Sequence, residues 1–146
     1  MRYSKDGMKL TENFEQCRLV AYWDANGKVY TIGWGHTYKV VEGMTCTQEQ
    51  ADAWLLSDVA WAESEVNRVV HVPLTQPEFD GLVDFVFNAG SGNFEKSTTL
   101  RLLNNKDYHG AAKVLEMWDM AGGQHLAGLL KRRKAEEALF ESGDNT

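Results

Sequence analysis

Between Thr47 and Val70 the chain carries one unbroken helical pattern, and this stretch most narrows what the sequence can fold into. Ala51, Trp54, Leu55, Val59, Ala62, Val66 and Val69 recur at steps of three and four, which places them on one apolar stripe. Thr47-x-x-Gln50 is a capping box, in which each end of the motif satisfies a backbone N–H of the other, so the helix starts there. Pro73 stops it. At 1.5 Å per residue the stretch predicts a rod of roughly 35 Å, longer than most helices in a small domain and long enough to join two lobes.

The segments on either side differ in character. Ser4 as a cap, followed by Met8, Thr11 and Phe14, predicts a first helix that ends near Glu15 to Arg18. From Val20 the period shortens. Ala21-Tyr22-Trp23-Asp24 and Val29-Tyr30-Thr31-Ile32 flank Ala25-Asn26-Gly27-Lys28, and Asn-Gly between two such runs predicts a tight hairpin. With Asn26 and Gly27 at the turn, both at positive φ, Asp24 opposes Val29, Trp23 opposes Tyr30 and Tyr22 opposes Thr31. Gly33, Gly35 and Gly43 mark bends or close backbone approaches. Beyond Pro73, Thr75-x-x-Glu78 with Pro77 opens a central apolar helix through Phe79, Leu82, Val83, Val86 and Phe87. Further helices are expected over about 98–104, 107–118 and 125–141, the last on Leu126, Leu129, Leu130, Leu139 and Phe140. The predicted fold class is α+β, one domain over residues 1–146 with a small β-hairpin lobe, a larger helical lobe and a cleft between them.

Composition narrows the function. A hydrophobic share of 43% is enough for a packed core, which excludes a disordered chain. No apolar run reaches the length of a membrane span and no signal-peptide pattern follows Met1, so stable membrane insertion is not expected and the cytoplasm is the expected compartment. Cys17 and Cys46 fit neither a disulfide framework nor a four-ligand zinc site and read as ordinary thiols. The net charge of −6 is unevenly spread: residues 42 to 84 hold nine acidic side chains against Arg68 alone, while residues 96 to 134 are net basic. Nucleic-acid binding, which rests on neutralising phosphates, is not expected of such a chain. Lys131-Arg132-Arg133-Lys134 reads as a solvated helix face.

Chemically useful groups concentrate in the first forty residues. Glu15 stands at a predicted helix end, where Phe14 and Val20 would keep water away, and Asp24 stands in the wetter hairpin. Two carboxylates in different surroundings suit acid and base work. Side chains alternate along a strand, so the register puts Asp24 and Thr31 on one face as a diagonal pair that could hold a water. Glu15-Gln-Cys-Arg-Leu-Val-Ala-Tyr-Trp-Asp24 followed by Tyr30-Thr31-Ile-Gly-Trp-Gly-His36-Thr37 resembles the active-site segment of phage-type lysozymes, glycoside hydrolase family 24. The resemblance continues in Phe87-Asn88-Ala-Gly90, in Ser97-Thr98-Thr99-Leu100-Arg101 and in Arg132-Arg133 with Leu139-Phe140, and so spans nearly the whole chain. It departs in two places. Gln16 stands where the family usually has Gly, and six residues rather than the common five separate Asp24 from Thr31.

The resemblance implies hydrolysis of the β-1,4 bond between N-acetylmuramic acid and N-acetylglucosamine in peptidoglycan, for lysis of a host cell. Glu15 is then the general acid, and Asp24 stays ionised and with Thr31 holds the attacking water on the far face of the sugar, which gives inversion. His36 is either a cleft-side group or a structural histidine that fixes the hairpin. Asn88 and Thr99 match sugar-facing positions, and of the two adjacent arginines Arg132 is favoured over Arg133 as the one near Glu15. Trp34 is a further cleft candidate, whereas Trp54 and Trp118 are expected in the core. No cofactor or metal is implied. The remaining implications are a monomer, release to the cell wall from the host cytoplasm through a holin, and no nucleic-acid partner. Two other readings stay open: a lytic transglycosylase acting on the same bond, and a non-catalytic glycan-binding module.

Overall fold

A computed structural model describes residues 1–25 and 27–143, and in it the chain forms two compact units. One is Thr11–Ala60; the other combines Met1–Leu10 with Trp61–Thr146. Helix α1 (Lys5–Phe14) contains one boundary and ends one residue short of the expected stop at Glu15 to Arg18. The Ser4 hydroxyl accepts from the Gly7 N–H, as a cap does.

The smaller unit is built on strands β1 (Arg18–Asp24) and β2 (Val29–Gly33), which pair antiparallel. Asp24 faces Val29, Trp23 faces Tyr30 and Tyr22 faces Thr31, the register read from the sequence. Asn26 lies outside the described residues; Gly27, expected at positive φ, is not there, and among the described residues of the connection the left-handed one is Lys28, at φ 53°. The register shifts between Arg18 and Tyr22, where a bulge bends β1. There Val20 pairs with Thr45, and the Cys46 N–H donates to the Leu19 carbonyl at 2.9 Å. Helix α2 (Gln48–Asp58) follows, its Thr47–Gln50 capping box closed in both directions, and packs on β2.

The rod expected over 47–70 is two helices, α2 and α3 (Ala60–Val69), parted at Val59. Val59 still donates to Leu55 at 3.0 Å, but its ψ has flattened to −10°, which interrupts the ladder. No proline or glycine marks the break. Leu55, Val59, Ala62 and Val66 are all buried, so the apolar stripe reads straight through an interruption that only the backbone shows.

In the larger unit, α4 (Gln76–Ala89) starts at the Thr75–Glu78 capping box and packs along α8 (Ala127–Ser142). Between them in sequence come α5 (Ser91–Glu95), α6 (Thr98–Asn104), α7 (Tyr108–Lys113) running into a 3-10 turn at Val114–Met117, and a short hairpin of β3 (Met120–Ala121) and β4 (Gln124–His125). The expected helix over 107–118 therefore changes form at Val114. Strands of two residues carry no readable period, and the only signal for β3–β4 is Gly122-Gly123, both at positive φ in the turn. Phe79, Leu82, Phe85, Phe94, Leu103, Leu115 and Phe140 make the core.

Helix α8 departs most from its sequence reading. Arg132, Arg133, Glu136 and Phe140 are its buried residues, while Leu126, just ahead of it, is exposed. The basic run is therefore not one solvated face: Lys131 and Lys134 are exposed, and the two arginines between them are inside. Close approach of α4 and α8 depends on Gly81. A Cβ there would lie 2.8 Å from the Glu136 carbonyl oxygen and 3.4 Å from Phe140 Cβ. Gly81→Ala is expected to cost about 1–3 kcal/mol despite the better helix propensity of alanine, because the obstacle is backbone. A urea midpoint at or above that of the parent would contradict this contact.

Candidate active site

Glu15 sits one residue beyond α1, and its N–H still donates to the Thr11 carbonyl at 2.9 Å, so the helix ladder fixes where the side chain departs. The side chain is half-buried. The expected shielding by Val20 is absent, since Val20 is 58% exposed on the bulged part of β1. Gly35 is the close neighbour instead. It adopts φ +88°, and a Cβ on it would come 3.5 Å from Glu15 Oε2, so the bend after β2 runs directly past the carboxylate. Ile32 and His36 close this bend by exchanging two backbone hydrogen bonds of 2.9 Å each.

Asp24 and Thr31 share one face of the hairpin as a diagonal pair, because Thr31 stands opposite Tyr22 and Asp24 is two residues along the same strand. Asp24, at the end of β1, is half-buried, and Thr31 is buried. The Thr31 hydroxyl lies 3.5 Å from the Val29 carbonyl, a long bond that holds it weakly. The three groups named from the sequence as acid, base and water-holder thus fall within one unit.

The other named residues have different fates. His36 is buried, stacked on Trp54 at 4.6 Å and 6°, with Nδ1 2.8 Å from Asp58 Oδ2. That arrangement matches the structural alternative, a histidine that pins the bend to α2. Trp54 is half-buried by this stacking rather than enclosed in a core, and Trp34 donates its indole N–H to Asp52 at 2.8 Å. Asn88 is exposed on the last turn of α4 and accepts from Arg133 at 2.8 Å. Together with Asn93, Trp118, Met120 and Leu129 these two line a cavity of about 330 Å³. Trp118, expected in the core, is a half-buried wall of it, 5.9 Å from Phe85.

Thr99 is a correction. It is fully buried, and its hydroxyl donates to the Ala111 carbonyl at 3.0 Å, so it ties α6 to α7 and has no surface to offer a sugar. The helix start was read correctly, with Ser97 as the cap, but the inward face falls on Thr99 and Thr98 is left half-exposed. The two arginines, which periodicity could not separate, take different acids. Arg132 grips Asp84 through Nε at 2.9 Å and Nη2 at 2.8 Å, while Arg133 lies 2.7 Å from Glu136, reaches Asn88 and covers the Phe85 ring. Cys17 and Cys46 are free thiols, and burial pushes the Cys46 thiol up. Among the described residues no group of three His, Cys, Asp or Glu is arranged to hold a metal ion.

A carboxylate pair between the 3-10 turn and α8 titrates in an unusual range. Burial, then a hydrogen bond and repulsion from Glu116, raise Glu137 from its ordinary 4.5 to about 7, and Glu116 is held low by Glu137 and Lys113. In its protonated form Glu137 then donates to Glu116. Because the folded value lies above the unfolded one, the contact stabilises fully below about pH 4.5 and is lost as pH rises through about 7. Glu137→Gln, which keeps a donor at every pH, should flatten the fall in melting temperature between pH 5 and 8. An unchanged slope would mean that Glu137 makes no such donation.

The phage lysozyme family profile matches residues 12–136. This chain belongs to the phage lysozyme family. Over 97% of its length it is 42% identical to the endolysin of Acyrthosiphon pisum secondary endosymbiont phage 1 and 41% identical to that of Salmonella phage P22, covering 99% of each. A crystal structure of a P22 lysozyme mutant superposes with a TM-score of 0.89 at 39% identity, covering 97% of this chain and 99% of that one. The α+β lysozyme fold expected from the sequence is therefore the fold observed, and the lysozyme is a glycoside hydrolase.

Proposed function

We propose that this lysozyme is an endolysin that works as one domain over residues 1–146 and hydrolyses the β-1,4 bond between N-acetylmuramic acid and N-acetylglucosamine with inversion. The observation that carries the mechanism is the shared face of Asp24 and Thr31 in the unit that holds Glu15. Glu15 gives its proton to the glycosidic oxygen as the bond breaks. Positive charge then develops on the sugar ring. Asp24 stabilises it and, with the Thr31 hydroxyl, orients a water for attack from the opposite side. A lytic transglycosylase needs an acid alone and has no use for the Asp24–Thr31 pair; a glycan-binding module would need none of the three. Asn88 is assigned to substrate binding, whereas Arg132, enclosed against Asp84, is left to the fold. His36 serves the site by fixing the bend beside Glu15, and no metal or cofactor takes part.

Mass analysis of digested peptidoglycan tests the reaction. Reducing muropeptides, formed first as the α-anomer, are expected. Anhydro sugars would identify a transglycosylase, and an initial β-anomer would sink inversion. Asp24→Asn should lose about a hundredfold, and Thr31→Ala more than its melting temperature explains.

Among the described residues no helix is long and apolar enough to cross a membrane. We assign the chain, as a monomer, to the host cytoplasm, from which a holin-type pore releases it to the wall. Cells expressing it should stay intact until chloroform opens the inner membrane, and lysis on expression alone would overturn that route.

A further inference from the structure

The bend that passes Glu15 is built of residues with little stiffness of their own: Gly33 at φ +64° and Gly35 at φ +88° flank Trp34. Something must hold it, because a general acid has to stay within hydrogen-bond reach of its oxygen. Beneath it lies α2, where a Cβ on Gly33 would come 3.2 Å from that of Ala51. At its far end the His36–Asp58 contact pins it to the last turn of α2. Beside Glu15 itself the tie is different. Trp34 Nε1 donates to Asp52 Oδ1 at 2.8 Å, and the same oxygen accepts from Gln48 Nε2 at 2.9 Å, one turn earlier on α2. That amide also reaches Cys17 Sγ at 3.6 Å, two residues beyond Glu15. The segment that leaves Glu15 and the segment that runs past its carboxylate therefore converge on one carboxylate oxygen.

We infer that Asp52 is a positioning residue for Glu15, acting through the Trp34 indole and the Gln48 amide; this rests on Glu15 as the general acid. Asp52 is exposed and supports no core, so its loss leaves the fold standing while freeing both segments that flank the acid. Gln16 adds to the need, since it stands beside Glu15 where the family pattern has glycine. A displacement of about 1 Å in such a group costs up to about a hundredfold in rate.

Initial rates on purified, dye-labelled peptidoglycan test the inference with the full chain. Asp52→Ala should lower kcat roughly five- to fiftyfold, with KM within about twofold and the melting temperature nearly unchanged. Asp52→Asn, whose Oδ1 accepts from the same two donors, should recover most of the rate. Trp34→Phe should lose a similar factor, and the double variant Asp52→Ala/Trp34→Phe should be no slower than either single one. Full kcat in Asp52→Ala, an Asn variant as slow as the Ala variant, or losses that multiply would each overturn it. Glu15→Gln in the same assay keeps the two readings apart: turnover by that variant would reject Glu15 as the acid, whereas an inactive Glu15→Gln beside a fully active Asp52→Ala would reject the positioning role alone.

Discussion

Glu15→Gln is expected to abolish lysis of permeabilised cells while leaving the melting temperature close to that of the parent. The amide has the shape of the carboxyl group and fills the same half-buried position past the end of α1, so α1, the hairpin and the bend at Gly35 have no reason to move. What it lacks is a proton acidic enough to pass to the leaving oxygen. General acid catalysis contributes about 10²–10⁴ in rate, so the loss should be at least a hundredfold, and it should appear in kcat because the acid acts only as the bond breaks. A loss below about tenfold would remove Glu15 from its role. A large loss with a falling melting temperature would instead show that the carboxylate holds the helix end. Turbidity measured beside thermal melts separates these outcomes.

The hairpin register was legible because the two strands alternate around one turn signal, and it placed Asp24 and Thr31 on a common face without any knowledge of the fold. Helix starts at Gln48 and Gln76 were legible for a local reason too, since a capping box is complete within four residues. What failed or stayed open depended on partners distant in sequence. Thr99 looks like a surface hydroxyl until Ala111, twelve residues on, supplies its acceptor. His36, open between two readings in the sequence, takes its ring partner Trp54 and its hydrogen-bond partner Asp58 from α2, which lies far from it in sequence. The inward face of α8 was misread because two arginines and a glutamate, charges that periodicity assigns to solvent, occupy it. The family resemblance favoured Arg132 over Arg133 as the arginine near Glu15, and periodicity could not separate them; their acids, Asp84 on α4 and Glu136 on α8, do.

Those acids give the second large effect, which falls on stability. Asp84 is fully buried, and its two oxygens bind the buried Arg132 guanidinium in a fork. Such a pair adds little net stability when intact, since desolvation offsets attraction, but removing one member strands the other. Asp84→Ala should therefore cost about 3–5 kcal/mol, whereas Asp84→Leu with Arg132→Met should recover most of the loss. The remaining neighbours add a pH dependence. Burial first, then the hydrogen bond and charge of Asp84, hold Glu136 well above the usual carboxylate range, against the pull of Arg133 and Arg132. With Asp84 gone, two of those causes vanish and both arginines still favour ionisation. Glu136 Oε2 is 3.9 Å from Arg132 Nε, near enough to take over part of the compensation once it is charged. Asp84→Ala should accordingly be more damaging at low pH, where Glu136 is protonated, than at higher pH, where its charge takes over part of the role of Asp84. At about 2–4 °C per kcal/mol the loss at low pH amounts to roughly 6–20 °C of melting temperature. Melts of the variant and parent from low to higher pH measure both terms: a difference of less than about 2 °C at low pH would mean that Arg132 is solvated without Asp84, and a difference that grows with pH would mean that Glu136 cannot substitute for it.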